Sequence, residues 1–286
     1  MGETRERRIA VVTDSTADLP RQLVEAYEIQ VVPQILIMGD KTWQDGVDID
    51  PAGFYELLQT SAHFPASSQP SAVYFERLFS ELAGTYDGIA AVLVSSELSG
   101  TVNSATMAAG NLPEVAIEIV DARSASMQLG FIVLAAARAA AEGASLQEVA
   151  DAARALVDQV QVYFVVDTLE YLHRGGRIGG AARLFGTALN LKPVLQICDG
   201  VVHPLAKVRS KRKALARVLD LVADQIGPED AVHMAVLHVA ARQEAGDLAE
   251  RLVARFQPVE MVHTECGPVI GTHAGPGTVG VAFYCE

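Results

Sequence analysis

The sequence predicts an α/β protein of two domains, and three observations carry that prediction. Through the first 165 or so residues, short β-branched runs alternate with helix-like patterns, which is the rhythm of a largely parallel sheet. Strand patterns then return beyond a basic, glycine-rich stretch that begins near Tyr171, and a second α/β unit is the simplest account of them. The length of 286 residues is about two domains' worth at a typical ~150 residues each. The division is expected between residues 1–165 and 166–286.

In order, the first part places strands at Ile9–Thr13, Val31–Ile37, Ile89–Val94, Val115–Val120 and Val162–Val166. Runs such as Ala90-Ala91-Val92-Leu93-Val94 are apolar on both faces, as strands covered by helices on both sides are. Polar turns follow the strands: Asp14 to Asp18, Ser95 to Thr101, and Asp121 to Ser124, all rich in helix N-cap residues. In open α/β sheets, ligands bind at these carboxyl ends. The Ala-rich stretch from Gly130 to Ala152 reads as two helices parted near Gly143, with Ser145 and Glu148 forming a capping box. The second part places strands at Val194–Cys198, Val201–Val208, Val232–His238, Val259–His263 and Val279–Tyr284.

Composition excludes several classes. Half the residues are apolar and a fifth charged, with ordinary glycine and proline usage, so disordered and fibrous readings fall away. A net charge of -13 repels a phosphate backbone and argues against general nucleic-acid binding. The longest apolar stretch, Phe131 to Ala137, is far short of the roughly 18 residues a membrane helix needs. The charged leader Met1 to Arg8 is followed by too short an apolar run for a signal peptide, and Gly2 lacks a myristoylation context, so a cytoplasmic location is expected. Cys198, Cys266 and Cys285 are widely spaced without a CxxC pair, which predicts reduced, mostly buried thiols rather than a disulfide or zinc site. The seven histidines show no metal-ligand spacing, so no metal is expected.

Three polar stretches are candidates for chemistry. Ser67-Ser68-Gln69-Pro70-Ser71 places hydroxyls and an amide before a helix start at about Ser71; read structurally, it is a loop with a cap. Ser95 to Thr101 puts hydroxyls and unpaired backbone N–H groups at a strand end that opens a helix, where an anion can sit or where the hydroxyls simply cap. Gly271 to Gly277 flanks His273 with glycines that allow close backbone approach, and the imidazole titrates near neutrality. A fourth signal is charge: between His173 and Lys213 lie nine basic residues and one acid, Asp199, for a net +8 against -21 elsewhere. Such a segment is a solvated face or a seat for an acidic partner.

Together these residues resemble the DegV family, the bacterial fatty-acid-binding proteins that serve as binding subunits of fatty acid kinase. The likeness runs from Ile9–Pro20 through Gln44–Ile49, Ser67–Ser71, Leu98–Thr101 with Ser104-Ala105, and Tyr171–Ile178. Lys192-Pro193, Asp199-Gly200, Lys207–Arg209 and Gly271–Gly277 complete it. Each motif alone is weak; the ordered series is specific. The resemblance implies two α/β domains (DegV/EDD-like) with a ligand cleft between them and no cofactor. One long-chain fatty acid would lie in the cleft, its carboxylate held by Ser67, Ser99 and His273, with Ser68, Gly100, Thr101, Thr272 and Gly275 supporting the pocket. A separate ATP-dependent fatty acid kinase of the dihydroxyacetone-kinase-like kind would phosphorylate that carboxylate to an acyl-phosphate for phospholipid metabolism. The chain itself would then be a carrier rather than an enzyme. Arg177, Arg209, Lys207 and Arg174 match the basic rim on which the kinase would dock. Two positions depart from the pattern: Ser67 replaces the commoner Thr, and His173 stands where Lys is usual.

Elementary energetics agree with that implication. Burying about 14 methylenes at ~0.8 kcal/mol each gives roughly 11 kcal/mol, against an association cost of ~4–15 kcal/mol, so the tail supplies the affinity. Hydroxyl donors at ~0.5–1.5 kcal/mol each, up to ~3 to a charged acceptor, fix the head group's position. The rival readings are a stand-alone acyl hydrolase or transferase using Ser99 and His273, a self-contained sugar or dihydroxyacetone kinase, and a bare interaction module. The first lacks a Gly-x-Ser-x-Gly elbow, the second a Gly-x-x-x-x-Gly-Lys-Ser/Thr loop, and the third leaves the polar stretches unexplained.

Overall fold

The computed structural model describes residues 8–186 and 191–286. All of the charged leader except Arg8 lies outside the described residues. β1 (Ile9–Asp14) enters a 3-10 turn at Ser15–Ala17 and is followed by α1 (Arg21–Ala26), β2 (Gln30–Val32), β3 (Ile35–Met38), β4 (Lys41–Gln44) and α2 (Pro51–Thr60). Then come β5 (Ala66–Ser68), α3 (Ala72–Ala83), β6 (Gly88–Leu93), α4 (Thr101–Gly110), β7 (Ile117–Asp121), α5 (Met127–Ala141), α6 (Leu146–Val157) and β8 (Gln161–Val165). The remainder comprises α7 (Glu170–Arg174), a 3-10 segment (Gly179–Leu184), β9 (Val194–Cys198), β10 (Val201–Ala206) and α8 (Lys211–Ala223). It closes with β11 (Val232–His238), α9 (Arg242–Phe256), β12 (Glu260–Glu265), α10 (Pro268–Ala274) and β13 (Val279–Cys285).

The strands form three sheets. A parallel sheet runs β2-β1-β6-β7, a mixed six-stranded sheet β10-β9-β8-β13-β11-β12, and a small antiparallel sheet β4-β3-β5. Two expectations are corrected here. Val31–Ile37 is not one strand: Pro33 has no N–H to give to a ladder, so β2 ends at Val32 and β3 starts the separate antiparallel sheet. Val162–Val166 is not the fifth parallel strand: β8 pairs antiparallel with β9 and β13 in the middle of the six-stranded sheet. An apolar run reveals burial on both faces but not which neighbours bury it.

Alternation along each strand sets the layers. Ala10 and Val12 of β1 face Phe75, Phe79 and Ala105 of α3 and α4, while Ile9 and Val11 face inward toward α5. In the six-stranded sheet, Tyr163, Val165, Val236 and Val281 meet α8 and α9 outside. Val162, Phe164, Leu237 and Ala282 turn inward to the same cluster as Ile9 and Val11. α5 lies between the two sheets, packed on β1 and β6 and also on β8 and β13. Its Met127 to Leu134 are all buried, as a helix apolar on every side must be. The capping box at Ser145 and Glu148 forms as expected and starts α6. Among the described residues no helix is long and apolar enough to cross a membrane. The cysteines are free as expected, but only Cys266 is buried; Cys285 is half-buried and Cys198 exposed on the β9–β10 hairpin, a correction to the expectation of mostly buried thiols.

Candidate ligand site between the sheets

A cavity of about 100 Å³ lies between the inner faces of the two large sheets. Its length is walled by apolar side chains, among them Val94, Leu98, Val162, Phe164, Ile197, Val202, Leu237 and Ile270. Ser67, Ser68, Gln69, Ser99, Arg177 and His273 supply polar groups to the same wall.

Ser67 belongs to β5, paired through Leu36 with β3, so the loop expected here is a short strand. Three residues are too few to display an alternating pattern. The helix start at Ser71 is as expected, its hydroxyl accepting from the Tyr74 N–H. Ser67 Oγ lies 2.7 Å from His273 Nε2. His273 itself sits in the last turn of α10, and the left-handed Gly275 (φ 79°) ends that helix. His273 Nδ1 is buried without a partner against Gly175. A buried orphan N–H costs more than an orphan lone pair, so we assign the proton to Nε2, which donates to Ser67 Oγ. The Ser67 O–H is then free for a ligand. Burial, reinforced by the Arg177 charge, pushes His273 down to about 4, so the ring is neutral at neutral pH.

Ser99 precedes α4, whose N-cap is Gly100 and makes no side-chain capping bond, so the Ser99 hydroxyl is not engaged in capping. Its Oγ is 2.8 Å from Thr101 Oγ1, which accepts a hydrogen bond from Gln34 Nε2 at 2.9 Å. The buried Thr101 hydroxyl, which accepts from Gln34, finds its acceptor in Ser99 Oγ, so we assign the proton of that pair to Thr101, which leaves the Ser99 O–H as a second free donor. Gln34 escaped the sequence reading; its one signal was an amide inside an apolar run just after Pro33. Gly100 lets Gln69 approach, since a Cβ there would meet the Gln69 amide at 3.0 Å.

The remaining candidate residues separate. Arg177 is in the cavity wall, with Nε donating to the Leu98 carbonyl (2.9 Å) and Nη1 to that of Gly175 (2.7 Å). Of its five N–H donors, others remain for an anion. Arg174 lies over the Phe64 ring at 3.8 Å, with Glu170 nearby, while Lys207 and Arg209 are exposed beyond β10. Thr272 is buried and donates to the Pro268 carbonyl, so it stabilises α10 without reaching the cavity. Gly275 makes room for Tyr171, whose ring a Cβ would meet at 2.3 Å.

Chemically, the arrangement suits holding an anion better than making a nucleophile. Ser99 pairs with Thr101 rather than with His273, and His273 has no acidic group on Nδ1 to orient it. A ring held at about 4 is a poor general base at neutral pH. Among the described residues, no group of acidic, histidine or cysteine side chains is placed to hold a metal ion.

Two α/β sheets with an apolar-walled cavity between them, into which Ser, Gln, Arg and His side chains reach, define a mixed α/β protein with a candidate small-molecule site. The chain belongs to the DegV family: that family's sequence model, described as an uncharacterised protein family, matches residues 8–286. A DegV domain-containing protein of Streptomyces coelicolor is 41% identical over 277 residues, covering 96% of this chain and 98% of its own. The DegV protein of Bacillus subtilis is 33% identical over 278 residues, covering 96% of this chain and 98% of its own. Among solved structures, a Thermus thermophilus DegV family protein described as binding fatty acid superposes with a TM-score of 0.92 at 35% identity, covering 98% of this chain and all of its own. Bacillus subtilis DegV, described as a fatty acid binding protein, gives 0.91 at 31% identity with the same coverage.

Proposed function

We propose that this protein binds one long-chain fatty acid, with the tail between the two sheets and the carboxylate at Ser67, Ser99, His273 and Arg177. The observation that carries this reading is the pairing of an apolar-walled cavity with hydroxyl and guanidinium donors on its wall, Ser67, Ser99 and Arg177 among them. Ser67 and Ser99 each offer a free O–H, and Arg177 offers a permanent charge beside a neutral imidazole. Taking a carboxylate out of water without such donors would cost several kcal/mol. The relatives described as fatty acid binding support the ligand class.

The finer reading is that the bound carboxylate is presented to a partner ATP-dependent fatty acid kinase, which forms the acyl-phosphate. Exposed Lys207 and Arg209, with Arg174 close by in sequence to the cavity wall at Arg177, would supply the docking charge. Dependence on ATP and a kinase would place the protein in the cytoplasm. The ligand would lie between an N-terminal α/β domain, residues 1–165, and a C-terminal one, residues 166–286, with β8 at the end of the first pairing into the six-stranded sheet. The deciding experiment is organic extraction of the purified protein followed by mass spectrometry. One equivalent of long-chain fatty acid is expected; a protein that carries none and fails to take up palmitate would defeat the proposal.

A further inference from the structure

His273 rides on a seven-residue helix, and a helix that short has little stability of its own. Its position therefore depends on what holds its first turn. The N-cap residue, Gly267, contributes no side chain. Instead two carboxylates reach in from the other end of the sequence. The Gly267 N–H donates to Asp18 Oδ1 at 2.8 Å, and the Asp45 carboxylate lies against the same turn, 3.2 Å from where a Cβ on Gly267 would stand. Asp18 thereby satisfies an N–H group that the helix cannot satisfy itself, and Asp45 packs beside it.

Asp18 and Asp45 are held firmly in turn. Asp18 is in the left-handed region (φ 51°); its Oδ2 accepts from Ser126 Oγ at 2.5 Å, and its carbonyl from Thr264 Oγ1 at 2.6 Å. Ser126 lines the cavity and is itself left-handed (φ 53°). Asp45 Oδ2 accepts from Ser15 Oγ at 2.8 Å, and Ser15 Oγ in turn accepts from the Gln34 N–H at 3.1 Å. Both carboxylates are buried, and the ionisable groups that face them are Asp14, Tyr55, Cys266 and Glu265, none of them a cation. Burial pushes Asp18 up to about 7 and Asp45 to about 6. Burying carboxylates without a cation is expensive, and α10 is where Asp18 directs one of its hydrogen bonds.

We propose that Asp18 and Asp45 are positioning residues for the ligand's head group, clamping the first turn of α10 so that His273 at its far end meets Ser67. The inference rests on the fatty-acid reading for the ligand, though not for the geometry. It is tested with Asp18→Ala and Asp45→Ala beside Asp18→Asn and Asp45→Asn, which keep an acceptor oxygen. Two quantities are read: the ring-nitrogen NMR signals of His273 in ligand-free, histidine-labelled protein, and the affinity for palmitate by calorimetry. The alanine variants are expected to move the His273 signals and weaken palmitate binding about tenfold, the effect of one charge-assisted donor, while the asparagine variants stay near wild type. Folded alanine variants with unchanged His273 signals and affinity would overturn the proposal, as would asparagine variants as weak as alanine ones. Should Asp18→Ala fail to fold, the Asp45 pair decides. If His273→Ala leaves palmitate affinity intact, the head-group reading fails, while the NMR signals still decide the clamp.

Discussion

Substituting Gly175 by alanine tests the head-group geometry from behind. Gly175 ends α7 with ordinary backbone angles (φ -74°, ψ -7°), so alanine costs nothing in conformation. Its Cβ, however, would lie 2.2 Å from His273 Nδ1 and 2.9 Å from Cε1, where apolar contacts need ~3.5 Å or more. The ring must give way by more than an ångström. Nδ1 and Nε2 are on opposite sides of the imidazole, so retreat from residue 175 drives Nε2 into Ser67 Oγ, already 2.7 Å away. The ring can only swing out, and the pair is lost. The lost pair joins a neutral imidazole to a hydroxyl, a bond of ~0.5–1.5 kcal/mol, so the affinity for a fatty acid should fall about 2- to 13-fold as Ser67 loses its orientation. Overpacking should cost the ligand-free protein a further ~1–3 kcal/mol of stability. Calorimetric titration of delipidated protein with palmitate measures the first effect and urea unfolding the second. Gly110→Ala, which meets nothing within 4 Å, is the control. Wild-type affinity in a folded Gly175→Ala protein would refute the placement of His273 at the carboxylate.

Ser67→Ala and Ser99→Ala should each weaken palmitate binding about 3- to 30-fold without changing the acyl chains recovered by mass spectrometry, because the tail rather than the head supplies most of the affinity. Arg209→Ala should leave palmitate binding unchanged and slow acyl-phosphate formation by a cognate kinase, whereas Arg177→Ala should reduce both; equal loss of binding in the two variants would place Arg209 in the pocket. For pH, His273 titrates at about 4 in the folded protein against 6.5 in the unfolded chain. The unfolded state therefore binds the extra proton first, so this group's contribution to stability is intact above pH 6.5 and declines as pH falls toward 4. Asp18 and Asp45, raised to about 7 and about 6, act in the opposite sense, stabilising the fold as they protonate. The comparison that isolates the imidazole is wild type against His273→Asn in urea at pH 7 and pH 4.5. The wild type should lose more stability between the two pH values, by on the order of 3 kcal/mol at most.

Most strands of this fold were legible in the sequence because burial and β-branching are local properties. Val194–Cys198 and Val232–His238 emerge as β9 and β11 with the expected bounds, and the capping box at Ser145 stands where hydroxyl and carboxylate spacing put it. Partnership was not legible. β8 reads like its predecessors yet pairs in the other sheet, because nothing within five apolar residues encodes which edge they will meet. At the site, Ser67, Ser99 and His273 stood out as polar residues between glycines and caps, and Ser67 and His273 are brought within hydrogen-bond reach from 206 positions apart. Gln34, Ser126 and Gly175 did not stand out. Their roles arise from what lies behind a neighbour's side chain, and a one-dimensional chain carries no record of that.

The insertion of α5 between the two sheets limits how the protein can move. A clamshell opening about a hinge would peel one sheet from a helix whose every side is greasy, exposing Phe131, Ile132 and Leu134 together. At ~1.5–3 kcal/mol for each such side chain, that excursion approaches the stability of an entire domain. On the fatty-acid reading, entry would instead lie at the rim, where β5 and α7 are short and largely unburied, and the tail would be threaded in lengthwise while the scaffold stays shut.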